Sequence, residues 1–121
     1  MTFPTIKYKA TNTELSPALS ELTDQKFASL EKYIGDETDV QCEVEFEKET
    51  GHQSGRIFRV EANLWLKGTL YRAEASEENF EKSIDEVRDE LDKELRRASG
   101  KRETLIKKGG RAIKEMLRFG K

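Results

Sequence analysis

The side chains best suited to covalent, acid–base or metal chemistry here are Cys42, His52 and a large set of carboxylates. Their settings argue against all three. His52 lies in Glu49-Thr50-Gly51-His52-Gln53-Ser54-Gly55, with no nucleophile motif around it, which fits an exposed loop histidine better than a general base. Cys42 falls on the inward side of the alternating run Val40-Gln41-Cys42-Glu43-Val44-Glu45-Phe46-Glu47, the setting of a buried, inert thiol. One cysteine forms no internal disulfide, and one thiol with one histidine makes no metal site. The 24 Asp and Glu residues alternate along strand and helix surfaces. They show neither the spacing of a calcium loop nor an identifiable catalytic pair. No catalytic residue, metal or cofactor is expected, and the chain reads as a non-enzyme.

The cations carry more information. Net charge is −2 over 121 residues, which by itself argues against a nucleic-acid partner. The distribution reverses that reading. Residues 101–121 hold eight Lys and Arg against two Glu, a charge of +6 that leaves −8 on residues 1–100. Within the preceding helix, residues 81–92 sum to −4 and residues 93–102 to +4. Two explanations compete. Acidic first turns and basic last turns complement a helix dipole, and Glu78–Lys82, Asp89–Lys93 and Asp92–Arg96 have ordinary i,i+4 pair spacing. Alternatively, the basic half is a phosphate-binding surface.

The elements that must position these cations can be read from periodicity. Ile6, Tyr8 and Ala10 alternate with Lys7 and Lys9 as a first strand. Ser16-Pro17 reads as an N-cap followed by a first-turn proline, opening a helix through Leu19, Leu22, Phe27, Leu30 and Tyr33 that stops at Gly35. Val40 to Glu47 is a second strand, and Phe58, Val60, Ala62, Leu64 and Leu66 share one face of a third. Lys67-Gly68 forms a two-residue hairpin turn into a fourth strand with Tyr71, Ala73 and Ala75 inward. A second helix from about Ser76 to Ala98 places Phe80, Ile84, Val87, Leu91, Leu95 and Ala98 on one stripe, and Gly100 closes the domain. The order β-α-β-β-β-α predicts an α+β, two-layer sandwich: a four-stranded antiparallel or mixed sheet with two helices on one face. Residues 1–100 form this domain. Residues 101–121 form a basic amphipathic C-terminal extension, with Leu105, Ile106, Ala112, Ile113, Met116, Leu117 and Phe119 opposite Lys107, Arg111, Lys114 and Arg118.

The run Tyr71-Arg72-Ala73-Glu74-Ala75, the acidic turn Ser76-Glu77-Glu78-Asn79, Phe80, then Ser83-Ile84-Asp85 and a helix reaching Leu91, Leu95, Arg96 and Arg97 resembles the ribosome hibernation promoting factor family, the ribosome-associated translation inhibitors, in its short form. The resemblance spans roughly residues 4–101, with Ser83 standing where the pattern has Ala. It implies a fold similar to a double-stranded RNA-binding domain with a strand added in front. It also implies a cytoplasmic factor that binds small-subunit rRNA in the decoding channel, sterically blocks mRNA and tRNA, and inhibits translation. By position, Lys26 matches a basic residue of the first helix, Lys93 and Arg97 match basic positions in the second, and Lys101 one just after it. Lys82, Arg96 and Arg102 join them as neighbouring cations directed away from the core stripe or flanking it. Ser29, Glu90 and Ser99 stand where the pattern often has Lys, and Glu94 where it has Gln. Lys107, Lys108, Arg111, Lys114 and Arg118 supply further phosphate contacts from the tail.

The outer sheet face reads as a poor RNA surface, because Glu43, Glu45, Glu47, Glu61 and Glu74 face Lys7, Lys9, Arg59 and Arg72, with Trp65 its sole stacking platform. The competing reading is a protein-interaction regulatory module that uses this acidic face or the apolar side of the tail. The tail pattern also suits a membrane surface or self-association, but a phosphate-contacting extension is simpler beside an rRNA-binding domain. No DNA partner is expected. With no apolar run near 18 residues and no signal-peptide pattern, the expected setting is cytoplasmic.

Overall fold

A computed structural model of the chain describes the backbone of residues 3–51 and 55–120 and the side chains of those up to residue 100. The elements run β1 (Ile6–Thr11), α1 (Pro17–Phe27), a 3₁₀ segment (Ala28–Tyr33), β2 (Val40–Lys48), β3 (Phe58–Leu66), β4 (Thr69–Glu77) and α2 (Phe80–Gly120). The sheet order is β1-β2-β3-β4, with β1 parallel to β2 and the other neighbours antiparallel. The architecture is therefore the expected α+β sandwich with a mixed sheet. α1 and its 3₁₀ continuation form the crossover that a parallel β1–β2 pair requires.

Strict alternation puts Cys42, Val44 and Phe46 of β2 and Val60, Ala62, Leu64 and Leu66 of β3 in the core, while their intervening neighbours face outward. α2 covers this inner face with Ile84, Val87, Leu91 and Leu95, all essentially inaccessible to solvent. Phe80 clamps the start of the helix by meeting Phe46 and Phe58 edge-on, with ring centroids 5.4 and 5.0 Å apart. Ser83 is buried, and its hydroxyl donates to the Phe58 carbonyl, so the polar atom replacing the pattern's alanine is satisfied.

Several local expectations need revision. The first helix does begin at Ser16-Pro17, with the Ser16 hydroxyl accepting from the Leu19 N–H at 3.1 Å. It then tightens to 3₁₀ geometry at Ala28. The spacing of Phe27, Leu30 and Tyr33 explains this, because every third residue eclipses in a 3₁₀ helix and these three then line one side. Ala10, near the C-terminal end of β1, is exposed rather than inward, whereas Ile6 and Tyr8 of the same strand pack toward the core. β4 runs on to Glu77, with Ser76 paired to Arg59, so the cap of α2 is Asn79, whose side-chain oxygen accepts from the Lys82 N–H at 2.8 Å. α2 also continues past Ala98 and Gly100 to Gly120. Glycine disfavours a helix by about 1 kcal/mol relative to alanine but does not forbid it. The flanking Lys, Arg, Glu, Leu and Ile are good helix formers and no proline intervenes.

The hairpin turn behaves as read. Lys67 and Gly68 have φ of 54° and 77°, a left-handed pair joining Leu66 to Thr69. Lysine carries a steric cost there that asparagine largely avoids. Lys67→Asn should raise unfolding stability by roughly 0.5–1 kcal/mol in urea titrations. Leu91→Ala should lower it by about 2–5 kcal/mol through the cavity left under α2.

Candidate nucleic-acid interface

Side-chain contacts fix how the two helices lie beside each other. Lys26 donates to Asp85, Arg88 Nη1 to Ser29 Oγ at 3.4 Å, and Tyr33 Oη to Asp92 Oδ1 at 2.9 Å. Each of these rungs joins residues 59 apart in sequence. A constant offset means that α1 with its 3₁₀ segment runs parallel to α2, so the C-terminal ends of both come together. The helical surface consequently has a carboxylate-rich end and a cation-rich end.

The predicted cations divide between them. Lys26 is half-buried and engaged with Asp85, and Lys82 lies 3.9 Å from Glu78 at the acidic start of α2. Lys93, Arg96 and Arg97 are exposed about 16 Å further along the helix, at 1.5 Å per residue. Arg96 bonds Asp92 at 2.5 Å, and Arg97 lies 3.6 Å from Glu94. The expected Asp89–Lys93 pair is not made, because Asp89 turns to Arg88 Nε at 2.8 Å. Lys93 thus forms no ion pair among the described residues and presents its full charge to solvent.

Sequence reasoning missed Lys32 and Lys67. Lys32 stands beside Tyr33, its ammonium 5.3 Å from the ring centroid, at the end of the 3₁₀ segment where the parallel alignment sets it near Asp92 and Arg96. An open groove of about 450 Å³ there is lined by Lys32, Gly35, Glu37, Lys67 and Ser99, among others. Nothing in the local sequence around Lys32 or Lys67 marks them, since only the packing of helices and hairpin gathers them. The side chains of Lys101, Arg102, Lys107, Lys108, Arg111, Lys114 and Arg118 lie outside the described residues, as does His52.

The opposite surface of the molecule is rich in carboxylates held around one arginine. Arg59 sits at the centre of the outer sheet face with its guanidinium 2.5 Å from Glu74, 2.6 Å from Glu61, 3.1 Å from Glu47 and 3.9 Å from Glu45. Arg72 adds a contact to Glu61 at 2.7 Å, and Thr11 donates to Glu45. Burial alone raises the Glu61 carboxyl, but the Arg59 hydrogen bond and the charges of Arg59 and Arg72 outweigh it and hold the group below its ordinary value. Four carboxylates of the acidic stripe, Glu45, Glu47, Glu61 and Glu74, thus share the guanidinium groups of Arg59 and Arg72. On the helical side, the Arg96 hydrogen bond, assisted by Tyr33, likewise holds Asp92 low. Cys42 is sealed in the core, where burial pushes its thiol up to about 12. Among the described residues no metal-binding cluster occurs, and no helix is long and apolar enough to cross a membrane.

The sequence profile described as sigma 54 modulation protein / S30EA ribosomal protein matches residues 6–103. The chain belongs to this S30EA family. Two solved structures share the fold of this S30EA chain. The N-terminal domain of Thermus thermophilus Protein Y superposes with a TM-score of 0.64 at 24% identity, covering 75% of this chain and 93% of that one. A ribosomal subunit interface protein from Coxiella burnetii gives a TM-score of 0.63 at 22% identity, covering 78% of this chain and 97% of the other. Among curated proteins no significant sequence match is found. The recognised relationship places the S30EA chain with the hibernation promoting factors, as its β4–α2 segment implied.

The acid behaviour of the sheet follows from the sign of the Glu61 shift. Its folded value lies below its ordinary 4.5, so the stability it contributes is complete above that pH and is lost as pH falls through the lower folded value. Carboxyl ¹³C titration should show Glu61 titrating below 4.5 in the native protein and moving upward in Arg59→Met. The same substitution should destabilise the fold by roughly 1–3 kcal/mol at neutral pH, because Glu45, Glu47 and Glu74 lose their guanidinium partner and Glu61 keeps only Arg72.

Proposed function

We propose that this S30EA protein is a ribosome hibernation factor that binds rRNA of the small subunit in the decoding channel and blocks mRNA and tRNA by occupying their path. The observation that supports this most directly is the unequal use of charge on the two surfaces. The outer sheet gathers four carboxylates around Arg59 and remains acidic, a face that repels phosphate, whereas the basic end of the helical layer keeps Lys93 without an ion pair among the described residues and Arg96 and Arg97 exposed. Family membership supplies the ribosome as the anionic partner.

In this reading Lys93, Arg96 and Arg97 neutralise phosphates, with Lys32 beside them. Lys101, Arg102, Lys107, Lys108, Arg111, Lys114 and Arg118 extend the contact along the continuation of α2. Lys26 and Lys82 contribute less, because they lie toward the carboxylate-rich end of the helical surface, beside Asp85 and Glu78. Fit to a folded rRNA channel gives selectivity, since among the described residues the outer sheet face offers only Trp65 for stacking bases. Inhibition is steric and requires no bond-making.

Co-sedimentation with vacant ribosomes through sucrose gradients tests the assignment. Binding to the small subunit should weaken steeply between low and high salt as released counterions are replaced. Lys93→Glu combined with Arg97→Glu should reduce affinity by roughly a hundredfold or more with an unchanged circular dichroism spectrum. A double variant that pellets with small subunits like the wild type would refute this placement of the interface.

A further inference from the structure

The four-stranded sheet has two edges of different character. β1 is six residues long, carries Lys7 and Lys9 on its solvent side, and is tied to α1 by the Tyr8 hydroxyl, which reaches Ser20 and Asp24. Edge lysines on a short strand discourage the approach of another strand. β4 lacks these protections. It is nine residues long, pairs with β3 in unbroken register from Thr69 to Glu77, and contains neither proline nor lysine. Beyond its ladder to β3, no hydrogen bond engages its backbone among the described residues. One row of backbone donors and acceptors therefore faces outward over about 30 Å, at 3.3 Å per residue.

The sequence of this edge is complementary to itself. With two copies of β4 laid antiparallel about a two-fold axis at Ala73, Arg72 of each falls opposite Glu74 of the other. Both residues lie on the outer face, with side-chain exposures of 57% for Arg72 and 54% for Glu74, the highest in the Arg59 network. On the inner side Tyr71 meets Ala75, and at the periphery Leu70, the exposed large apolar residue, meets Ser76. Directly opposed residues share a sheet face, so the register shifts in steps that preserve this parity. The adjacent permitted registers place Arg72 opposite Arg72 or Glu74 opposite Glu74, and like charges in direct opposition destabilise a pair.

We propose that β4 is a homodimerisation edge, along which a second copy of this chain adds its own β4 antiparallel and joins two four-stranded sheets into one. The main-chain ladder supplies affinity, and the two symmetric Arg72–Glu74 pairs fix the register. Arg72 and Glu74 stand on the outer sheet face, whereas Lys93, Arg96 and Arg97 belong to the helical layer on the other side of the sheet, so the proposal uses none of the cations of the ribosome-binding reading.

Sedimentation equilibrium of the full chain across the micromolar to millimolar range tests it, with circular dichroism confirming that each variant is folded. The wild type should pass from 14.0 kDa to twice that mass. Arg72→Glu gives four opposed carboxylates and Glu74→Arg four opposed guanidinium groups, and each should weaken dimerisation by roughly tenfold or more. Mixing these two variants should restore a heterodimer at least as well formed as the wild type, since every cross-copy pair is again of opposite sign. Substitution at these positions also disturbs the Glu61 and Arg59 contacts within each chain, but that disturbance persists in the mixture and so cannot produce the recovery. A chain that stays monomeric throughout would overturn the proposal. So would self-association unaffected by either reversal, the result expected of contact through the helical extension, or a mixture that fails to associate.

Discussion

Burial of one apolar stripe of α2 against the inner sheet face is the constraint on which the remaining structure depends. Ile84, Val87, Leu91 and Leu95 are all but completely removed from water, and Phe80 anchors the stripe between Phe46 and Phe58. Once that face is fixed, the helix has no rotational freedom, and the positions of Lys93, Arg96 and Arg97 on its outer side follow from 3.6-residue geometry. The parallel neighbour is then aligned by three polar rungs with a single offset. A helix turned by even one position would move the stripe off Val60 and Leu64 and take the cations with it.

The two surfaces that result handle charge in opposite ways. Across the sheet, side chains stand on a two-residue repeat at short cross-strand distances, so Arg59 can reach carboxylates on β2, β3 and β4 at once. That density makes the face self-contained. Along the helices, the rungs consume Lys26 and Asp85 at one end, and Asp92 engages Tyr33 and Arg96 nearer the other. The balance leaves uncompensated positive charge where the helices end together. A net charge of −2 for the chain conceals this division entirely.

Backbone chemistry imposes a second asymmetry. A mixed open sheet must leave two strands with a free edge, and the chain guards them unequally. β1 is short, lysine-bearing and pinned to α1, while β4 is long, regular and of mixed charge. The same segment that opens α2 through Asn79 therefore presents a strand edge and a helix start within a few residues, serving different surfaces of the molecule.

Much of this was legible in the sequence. Alternation specified β2 and β3 and their buried faces because a half-exposed sheet forces a two-residue repeat, while on β1 it failed at Ala10, and Ser16-Pro17 and Lys67-Gly68 specified their cap and turn by local stereochemistry. Local signals failed where two elements compete for one residue. Ser76 looks like a helix cap, but its partner across the ladder, Arg59, holds it in β4, and Gly100 looks like a terminus although nothing about glycine compels a helix to end. Clustering of cations was visible only along α2 and its continuation. That Lys32 and Lys67 line one groove with Ser99, that Asp89 turns to Arg88 and frees Lys93, and that Arg59 gathers the acidic stripe are consequences of packing. The first and last depend on distances between segments far apart in the chain, and the second on which of two near neighbours Asp89 meets, none of which a local pattern encodes.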